Sequence, residues 1–243
     1  MELLENAILI ADVHYHKDFR ESDFLKFLNI IEASNPSQII FLGDIFDLLF
    51  GEIKYTENKN RDIIFRLNQI GKKVQILYFE GNHDFNLKSL FHNIKIIDNY
   101  HQPFKLNFKN ENIFLAHGDW GSCCSFKYSI YRKIINSSKI LKFLNFFDMK
   151  IGNKIIKSFE INQIKKNKCY KIANFKDLII SKFKFLNLKN GIFLEGHYHQ
   201  GESFDFEKFK YINLESFACS QSYFIVKSKG NSLYLAKKRL EEF

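Results

Sequence analysis

Gln38-Ile39-Ile40-Phe41-Leu42 runs straight into Gly43-Asp44-Ile45-Phe46-Asp47. The first stretch has the aliphatic and aromatic make-up of a buried strand. A glycine ends it, and two carboxylates follow. The same order recurs on both sides. Ala7-Ile8-Leu9-Ile10 leads to Asp12-Val13-His14, and Val74-Gln75-Ile76-Leu77-Tyr78-Phe79 leads to Gly81-Asn82-His83-Asp84. Asn112-Ile113-Phe114-Leu115-Ala116 ends at His117-Gly118-Asp119, and Ile192-Phe193-Leu194 precedes Gly196-His197-Tyr198-His199. Five short strands therefore each end on a turn rich in Asp, Asn and His. Sheets covered by helices carry their chemistry at such strand ends.

A single turn of this kind would be ordinary loop chemistry. Here five of the eight histidines fall inside the five turns. Asp12, His14, Asp44, Asn82, His117, His197 and His199 offer seven oxygen and imidazole ligands and no thiolate. That set suits Mn²⁺, Fe²⁺ or Zn²⁺ better than a Cys-rich structural zinc site. Two ions roughly 3.5–4 Å apart can share a hydroxide and clamp a phosphoryl group. Asp44 is the natural bridging carboxylate.

The ordered set D-x-H, G-D-x-x-D, G-N-H-D, H-G-D and G-H-x-H spans Asp12 to His199 and resembles the motifs of the calcineurin-like metallophosphoesterases. The resemblance implies an α/β fold of four layers, a β-sandwich flanked by helices. It assigns one ion to Asp12, His14, Asp44 and His199, and the other to Asp44, Asn82, His117 and His197. It makes His83 the group that stabilises phosphoryl oxygens or protonates the leaving group, with Asp84 expected to orient it. Asp47 and Asp119 are expected just behind the ligands.

The length of 243 residues fits one domain. Glu2 and Glu5 stand where a signal peptide would be basic, and no apolar run approaches the ~18 residues of a membrane span. Cys123 and Cys124 are adjacent, while Cys169 and Cys219 stand apart. No disulfide or zinc-finger spacing is evident, so a reduced cytoplasmic setting is expected.

The net charge of +9 is concentrated in one segment. Residues 121–190 hold 16 Lys and Arg against 3 Asp and Glu, whereas the remainder is slightly acidic. This segment reads as a helical insertion between two metal motifs. Tyr128, Tyr131, Ile134 and Ile135 recur at helical spacing, and Ile140, Leu141, Phe143, Leu144, Phe146 and Phe147 form an apolar patch. Ile151, Ile155, Ile156 and Phe159 continue it, with Lys150, Lys154 and Lys157 on another side and Gly152 at a bend. A further helix is expected over Phe175 to Leu186. The insertion is read as a packed amphipathic pair, as a lid for acyl chains and anionic lipid, or as a nucleic-acid surface. Its aliphatic density makes nucleic acid the weakest of these.

Within the family, the motif intervals and the insertion resemble UDP-2,3-diacylglucosamine hydrolases of lipid A synthesis. That resemblance implies cleavage of the lipid-linked UDP-sugar to UMP and 2,3-diacylglucosamine 1-phosphate, by metal-bridged hydroxide attack on the α-phosphorus. It implies two divalent ions, with Mn²⁺ favoured, and a peripheral place on the inner face of the inner membrane. Tyr128, Arg132 and Lys168 become the substrate contacts. His83 departs from the Arg of the best-known branch, so a phosphodiesterase or nucleotide pyrophosphatase acting on soluble substrates stays open, and a nuclease behind it. The tail Ser203–Phe243 is expected to complete a second sheet packed against the first.

Overall fold

The structure is a computed structural model, and it describes residues 1–19, 21–120, 136–184, 190–230 and 232–242. In chain order the first sheet collects β1 (Ile8–Ile10), β2 (Ile39–Leu42), β4 (Ile76–Phe79) and β6 (Lys95–Ile97) as parallel neighbours. Between them, β3 (Leu49–Phe50) and β5 (Asp84–Phe85) form a small parallel pair of their own. The second sheet is built from β7 (Phe104–Phe108), β8 (Glu111–Ala116), β9 (Gly191–Glu195), β10 (Ser203–Asp205) and β11 (Phe209–Asn213). Its centre, β8–β9–β11, is parallel. Two C-terminal strands, β12 (Ser222–Lys229) and β13 (Ser232–Arg239), return antiparallel to the edge of the first sheet beside β1.

Strand alternation sorts the core into layers. Ile8, Ile10, Ile39, Phe41, Ile76 and Tyr78 point to one face of the first sheet. There they meet α1 (Glu21–Ser34) through Phe24, Phe27, Leu28 and Ile31. They also meet α3 (Arg61–Gly71) through Ile63, Ile64, Leu67 and Ile70. Their alternates Leu9, Ile40, Leu42, Leu77 and Phe79 face the second sheet and pack on Leu106, Ile113, Leu115, Ile192 and Leu194. The outer face of the second sheet, Phe193 and Tyr211, is covered by Phe175, Ile179 and Phe183. These three sit on α6 (Phe175–Phe183). The expected four layers, helix, sheet, sheet and helix, are present. Each fully buried Leu, Ile or Phe adds about 1.5–3 kcal/mol to their cohesion.

Two expectations are corrected. The tail does not join one sheet: β10 and β11 complete the second, but β12 and β13 extend the first. Phe224 and Val226 of β12 do reach the layer between the sheets, which is why the run looked like second-sheet material. The insertion also breaks where a bend was expected. Helix α4 (Ser138–Lys150) stops before Gly152, and α5 (Lys154–Ile164) begins after it. Gly152 and Asn153 both have positive φ, and the Asp148 carboxylate accepts the free Ile155 and Ile156 amides at 2.8 and 3.0 Å. That cap starts a new helix. Lys150 therefore lies on one helix, with Lys154 and Lys157 on the next. The last helix of the segment runs over Phe175–Phe183, and Leu186 lies outside the described residues.

The two helices rest on the body through Leu141 and Ile156, which pack with Phe50, Ile53 and Phe85. A polar contact adds to this. The Glu160 carboxylate of α5 accepts from Lys59 Nζ at 2.7 Å and Tyr55 OH at 3.0 Å, and lies 3.3 Å from His16 Nε2. Lys59 and Tyr55 belong to α2 (Lys54–Lys59). His16 is buried in this contact.

Candidate metal centre

Parallel pairing brings the five turns to one edge. Strands β1, β2 and β4 end two or three residues before Asp12, Asp44 and Asn82, and β8 and β9 deliver His117 and His197 from the facing sheet. Asp12, His14, Asp44, His197 and His199 all carry positive φ, from 48° to 62°. Non-glycine residues rarely hold that conformation, and functional turns are where it concentrates. Here it folds each ligand back over the strand ends.

Two glycines are required by close approach. A Cβ at Gly81 would sit 2.1 Å from Asp44 Oδ1, and one at Gly196 would sit 2.5 Å from Asp12 Oδ2. The backbone of each motif thus cradles the carboxylate of another.

The ligand atoms form overlapping groups. Asp12, His14 and His199 make one, with His199 Nε2 3.1 Å from Asp12 Oδ1. Asp44, His117 and His197 make a second. In it, His117 Nε2 lies 3.4 Å from Asp44 Oδ2, 3.2 Å from Asn82 Oδ1 and 3.2 Å from His197 Nδ1. Asp44 also joins a third group with His14 and His83, so it stands between the two halves. All seven expected ligands converge.

The donor set fits two cations. His14 Nε2 is buried and has no hydrogen-bond partner. An orphaned imidazole nitrogen in this position is costly unless an ion takes it. Electrostatics agree. Burial, then the charges of Lys168 and His83, hold His14 well below the ordinary imidazole value. Burial and His117 do the same to His197. Burial also opposes charge on His117, but Asp44 beside it prevails and raises its pKa well above the usual range. The field that draws a proton to His117 would draw a metal ion instead.

Partners behind the ligands fix their rings. His117 Nδ1 faces the Leu42 carbonyl at 3.0 Å, and its backbone N–H donates to Gln102 Oε1 at 2.6 Å. His199 Nδ1 faces the Lys168 carbonyl at 2.5 Å. Asp47 Oδ1 lies 3.4 Å from His14 Nδ1. A carbonyl or carboxylate on one ring nitrogen leaves the other free for metal. Asp47 and Asp119 are both buried next to ligands, as expected.

Asp84 takes a different place from the one expected. Its carboxylate accepts the backbone N–H groups of Asp44, Ile45, Phe46 and Gly81 and the Tyr78 hydroxyl, at 2.5 to 3.1 Å. It therefore locks the Asp44 turn. His83 is oriented by Asp47 instead, whose carbonyl lies 2.9 Å from His83 Nδ1. His83 Nε2 is 3.9 Å from Asp44 Oδ2.

Lys168 is buried, paired with the Asp47 carboxylate and 3.0 Å from His14 Nδ1. It reaches the centre, but from behind its ligands. Tyr128, Arg132, Cys123 and Cys124 lie outside the described residues. The remaining cysteines overturn the expectation of isolated thiols: Cys169 and Cys219 form a disulfide. Fifty residues separate them, so only the fold brings them together.

Three supporting residues went unread. Lys182 Nζ donates to both Glu195 oxygens and to the Gly118 carbonyl, all within 2.9 Å. It thereby ties α6 to two ligand turns. The available signal was a lysine on the apolar face of Phe175, Ile179 and Phe183. Glu195 ends an otherwise apolar strand, and Tyr78 lies inside another; neither position advertises a partner.

A cavity of about 340 Å³ adjoins the centre. Asn82 and His83 form part of its wall, and Phe85, Leu144, Ile155 and Phe159 form much of the rest.

The chain is similar to several known proteins. A UDP-2,3-diacylglucosamine hydrolase of Coxiella burnetii (strain Dugway 5J108-111) is 25% identical over 158 residues. That match covers 64% of this chain and 64% of the relative, so the chain spans just under two thirds of it. The enzyme of the same name from Proteus mirabilis (strain HI4320) is 25% identical over 202 residues, 80% of this chain and 82% of the other. Among solved structures, Yfce, a phosphoesterase from E. coli, aligns over 96% of this chain and 98% of its own, with TM-score 0.46 and 13% identity. The family described as calcineurin-like phosphoesterase matches residues 6–218, which hold every ligand from Asp12 to His199. With its ligand turns converged at one edge of two facing sheets, the chain belongs to the calcineurin-like phosphoesterase family, whose members are metal-dependent hydrolases.

Proposed function

We propose that the protein is a two-metal, Mn²⁺-dependent hydrolase of UDP-2,3-diacylglucosamine, releasing UMP and 2,3-diacylglucosamine 1-phosphate by attack at the α-phosphorus. One observation carries the choice of substrate. The cavity that shares Asn82 and His83 with the metal centre is walled mostly by Phe, Leu and Ile side chains, with Asp148, Gln163 and Lys166 as its other polar lining. A soluble nucleotide would leave such a wall wet. A phosphodiester joined to acyl chains would fill it, with the apolar part buried and the phosphates at the ligands. The names of the relatives point the same way.

When bound, the two ions supply Lewis acidity toward the phosphoryl oxygens and a water made acidic near neutral pH. The chain supplies the rest. Asp44 stands between the two ligand groups and holds them at a fixed separation. With its Nδ1 committed to the Asp47 carbonyl, His83 presents Nε2 toward the phosphoryl group and its leaving oxygen. Lys166 lines the cavity and adds positive charge for the pyrophosphate. Lys168 acts through His14 and Asp47, while Tyr128 and Arg132 complete the phosphate contacts from the segment before α4.

The chain functions as one domain with a helical lid spanning about 121–190. On α4 and α5, Phe143, Phe146, Phe147, Met149 and Ile155 are exposed, interleaved with Lys139, Lys142, Lys150 and Lys154. That mixture suits the surface of an anionic membrane, where each Lys contributes about 1 kcal/mol. Among the described residues no helix is long and apolar enough to cross a bilayer. The mixed basic and apolar surface of α4 and α5 supports a peripheral place on the cytoplasmic face of the membrane.

Metal-free protein reloaded with Mn²⁺ tests the proposal. UMP release from UDP-2,3-diacylglucosamine, abolished by Asp44→Ala, is the expected outcome. Cleavage of bis-p-nitrophenyl phosphate with no action on the lipid would remove the substrate assignment and leave a general phosphodiesterase.

A further inference from the structure

The Cys169–Cys219 disulfide joins two segments that frame the same ligand group. Cys169 directly follows Lys168. The Lys168 carbonyl holds His199 Nδ1, and its ammonium packs against Asp47 and His14. The stretch from 165 to 174 contains neither helix nor strand. It stays in place through side-chain contacts such as the Gln200 amide, which binds the Ile172 N–H and the Tyr170 carbonyl.

Cys219 belongs to the short helix α7 (Phe217–Ser220). That turn holds the Asp12 backbone: Ala218 N–H and Ser216 Oγ both donate to the Asp12 carbonyl, at 3.1 and 2.8 Å. One sulfur is thus tied to the partners of His14 and His199, and the other to the partners of Asp12. Asp44 and His117 of the second ligand group are supported by different segments, Asp84 under Asp44, and Leu42 and Gln102 behind His117, while the His197 N–H donates to the Asp12 carboxylate. Both cysteines are exposed.

We infer that the Cys169–Cys219 bridge is a thiol-reversible clamp on one half of the metal centre. Reduction weakens the ion held by Asp12, His14 and His199 and spares the ion held by Asp44, Asn82, His117 and His197. The exchange is with a small-molecule thiol. One thiolate attacks a bridge sulfur to give a mixed disulfide and one protein thiol. A second thiol displaces that adduct, leaving two cysteine thiols and one small-molecule disulfide. With the bridge open, the 165–174 stretch no longer holds Lys168 firmly behind His14 and His199. Loss of such a partner costs metal affinity about tenfold or more. The inference rests on the two-ion reading of the centre, though not on its substrate.

Tryptic mapping of the unreduced protein comes first. The peptide Cys169-Tyr170-Lys171 should be found linked to Tyr211–Lys227, and should be free after phosphine reduction. Calorimetric Mn²⁺ titration of metal-free protein then compares the two forms. Two ions should bind the bridged protein, and reduction should weaken one of them about tenfold while the other stays unchanged. Cys219→Ser should match the reduced form and ignore reductant, and the wild-type pair gives the answer even if that variant folds poorly. Absence of the linked peptide, or equal binding of both ions in the two forms, overturns the inference alone. No Mn²⁺ binding in either form removes the two-ion reading and the inference together.

Discussion

The Lys182 ammonium lies 2.8 and 2.9 Å from the two oxygens of the Glu195 carboxylate, and neither side chain is exposed to solvent. The pair sits under both histidine turns of the second sheet, because Lys182 also binds the Gly118 carbonyl and Glu195 immediately precedes Gly196. Tyr211 OH adds a third donor to the carboxylate at 3.0 Å. Removing one partner leaves the other charge buried alone. Lys182→Met should therefore lower the unfolding free energy by about 3–5 kcal/mol. Lys182→Met with Glu195→Gln should recover much of that loss, measured by urea denaturation. A double variant no more stable than the single one would show that the charge pairing is not what matters.

Asp84→Asn tests the lock on the Asp44 turn. An amide cannot accept from four backbone N–H groups and a hydroxyl as a carboxylate does. Mn²⁺ affinity should fall about 10- to 100-fold, because Asp44 serves both ligand groups. Metal content after dialysis against a fixed Mn²⁺ concentration reads this directly. Full retention of both ions would mean that the turn is held by other contacts.

The contact of α5 with α2 and His16 has a pH signature. Burial raises the Glu160 pKa, but hydrogen bonds from His16, Lys59 and Tyr55 outweigh it and hold the carboxyl at about 2, against 4.5 when free. A depressed carboxyl contributes docking stability that is fully present above pH 4.5 and is lost as pH falls toward about 2. Hydrogen exchange of α5 amides should therefore accelerate relative to α3 across that window. Glu160→Gln should start from weaker protection and show no such step.

The apolar wall predicts a split between substrates. Leu144→Ser or Phe159→Ser places a polar group in the cavity beside His83. Each should reduce kcat/KM for the diacyl substrate about tenfold more than for bis-p-nitrophenyl phosphate, a difference of roughly 1.4 kcal/mol. Equal losses on both substrates would dissociate the cavity from acyl recognition.

Much of the metal centre was legible from local pattern. A strand run, a glycine and a ligand form a short-range unit, and repetition of that unit in one chain made the metal-binding turns readable before any contact was known. Gly152 was legible as a bend, but the full helix break there and the partition of the tail were not. The break depends on Asp148 capping α5, and Phe224 has the same alternation whichever sheet its strand joins. Asp84 was placed in the right motif but with the wrong partner. Its neighbour in sequence is His83, yet three of the four amides it holds come from residues 44 to 46, 38 to 40 positions away.

Ligand identity, ligand order, strand ends and the basic insertion were determined by the sequence alone, since each depends on residue type over a few consecutive positions. Tertiary structure decided the Lys182–Glu195 pair, the Glu160 contact, the Cys169–Cys219 bridge and the wall shared by His83 and helices α4 and α5. Those features join residues 13 to 144 positions apart, and no local preference encodes them. They form only after two sheets and their covering helices have buried enough apolar surface to bring distant polar groups together.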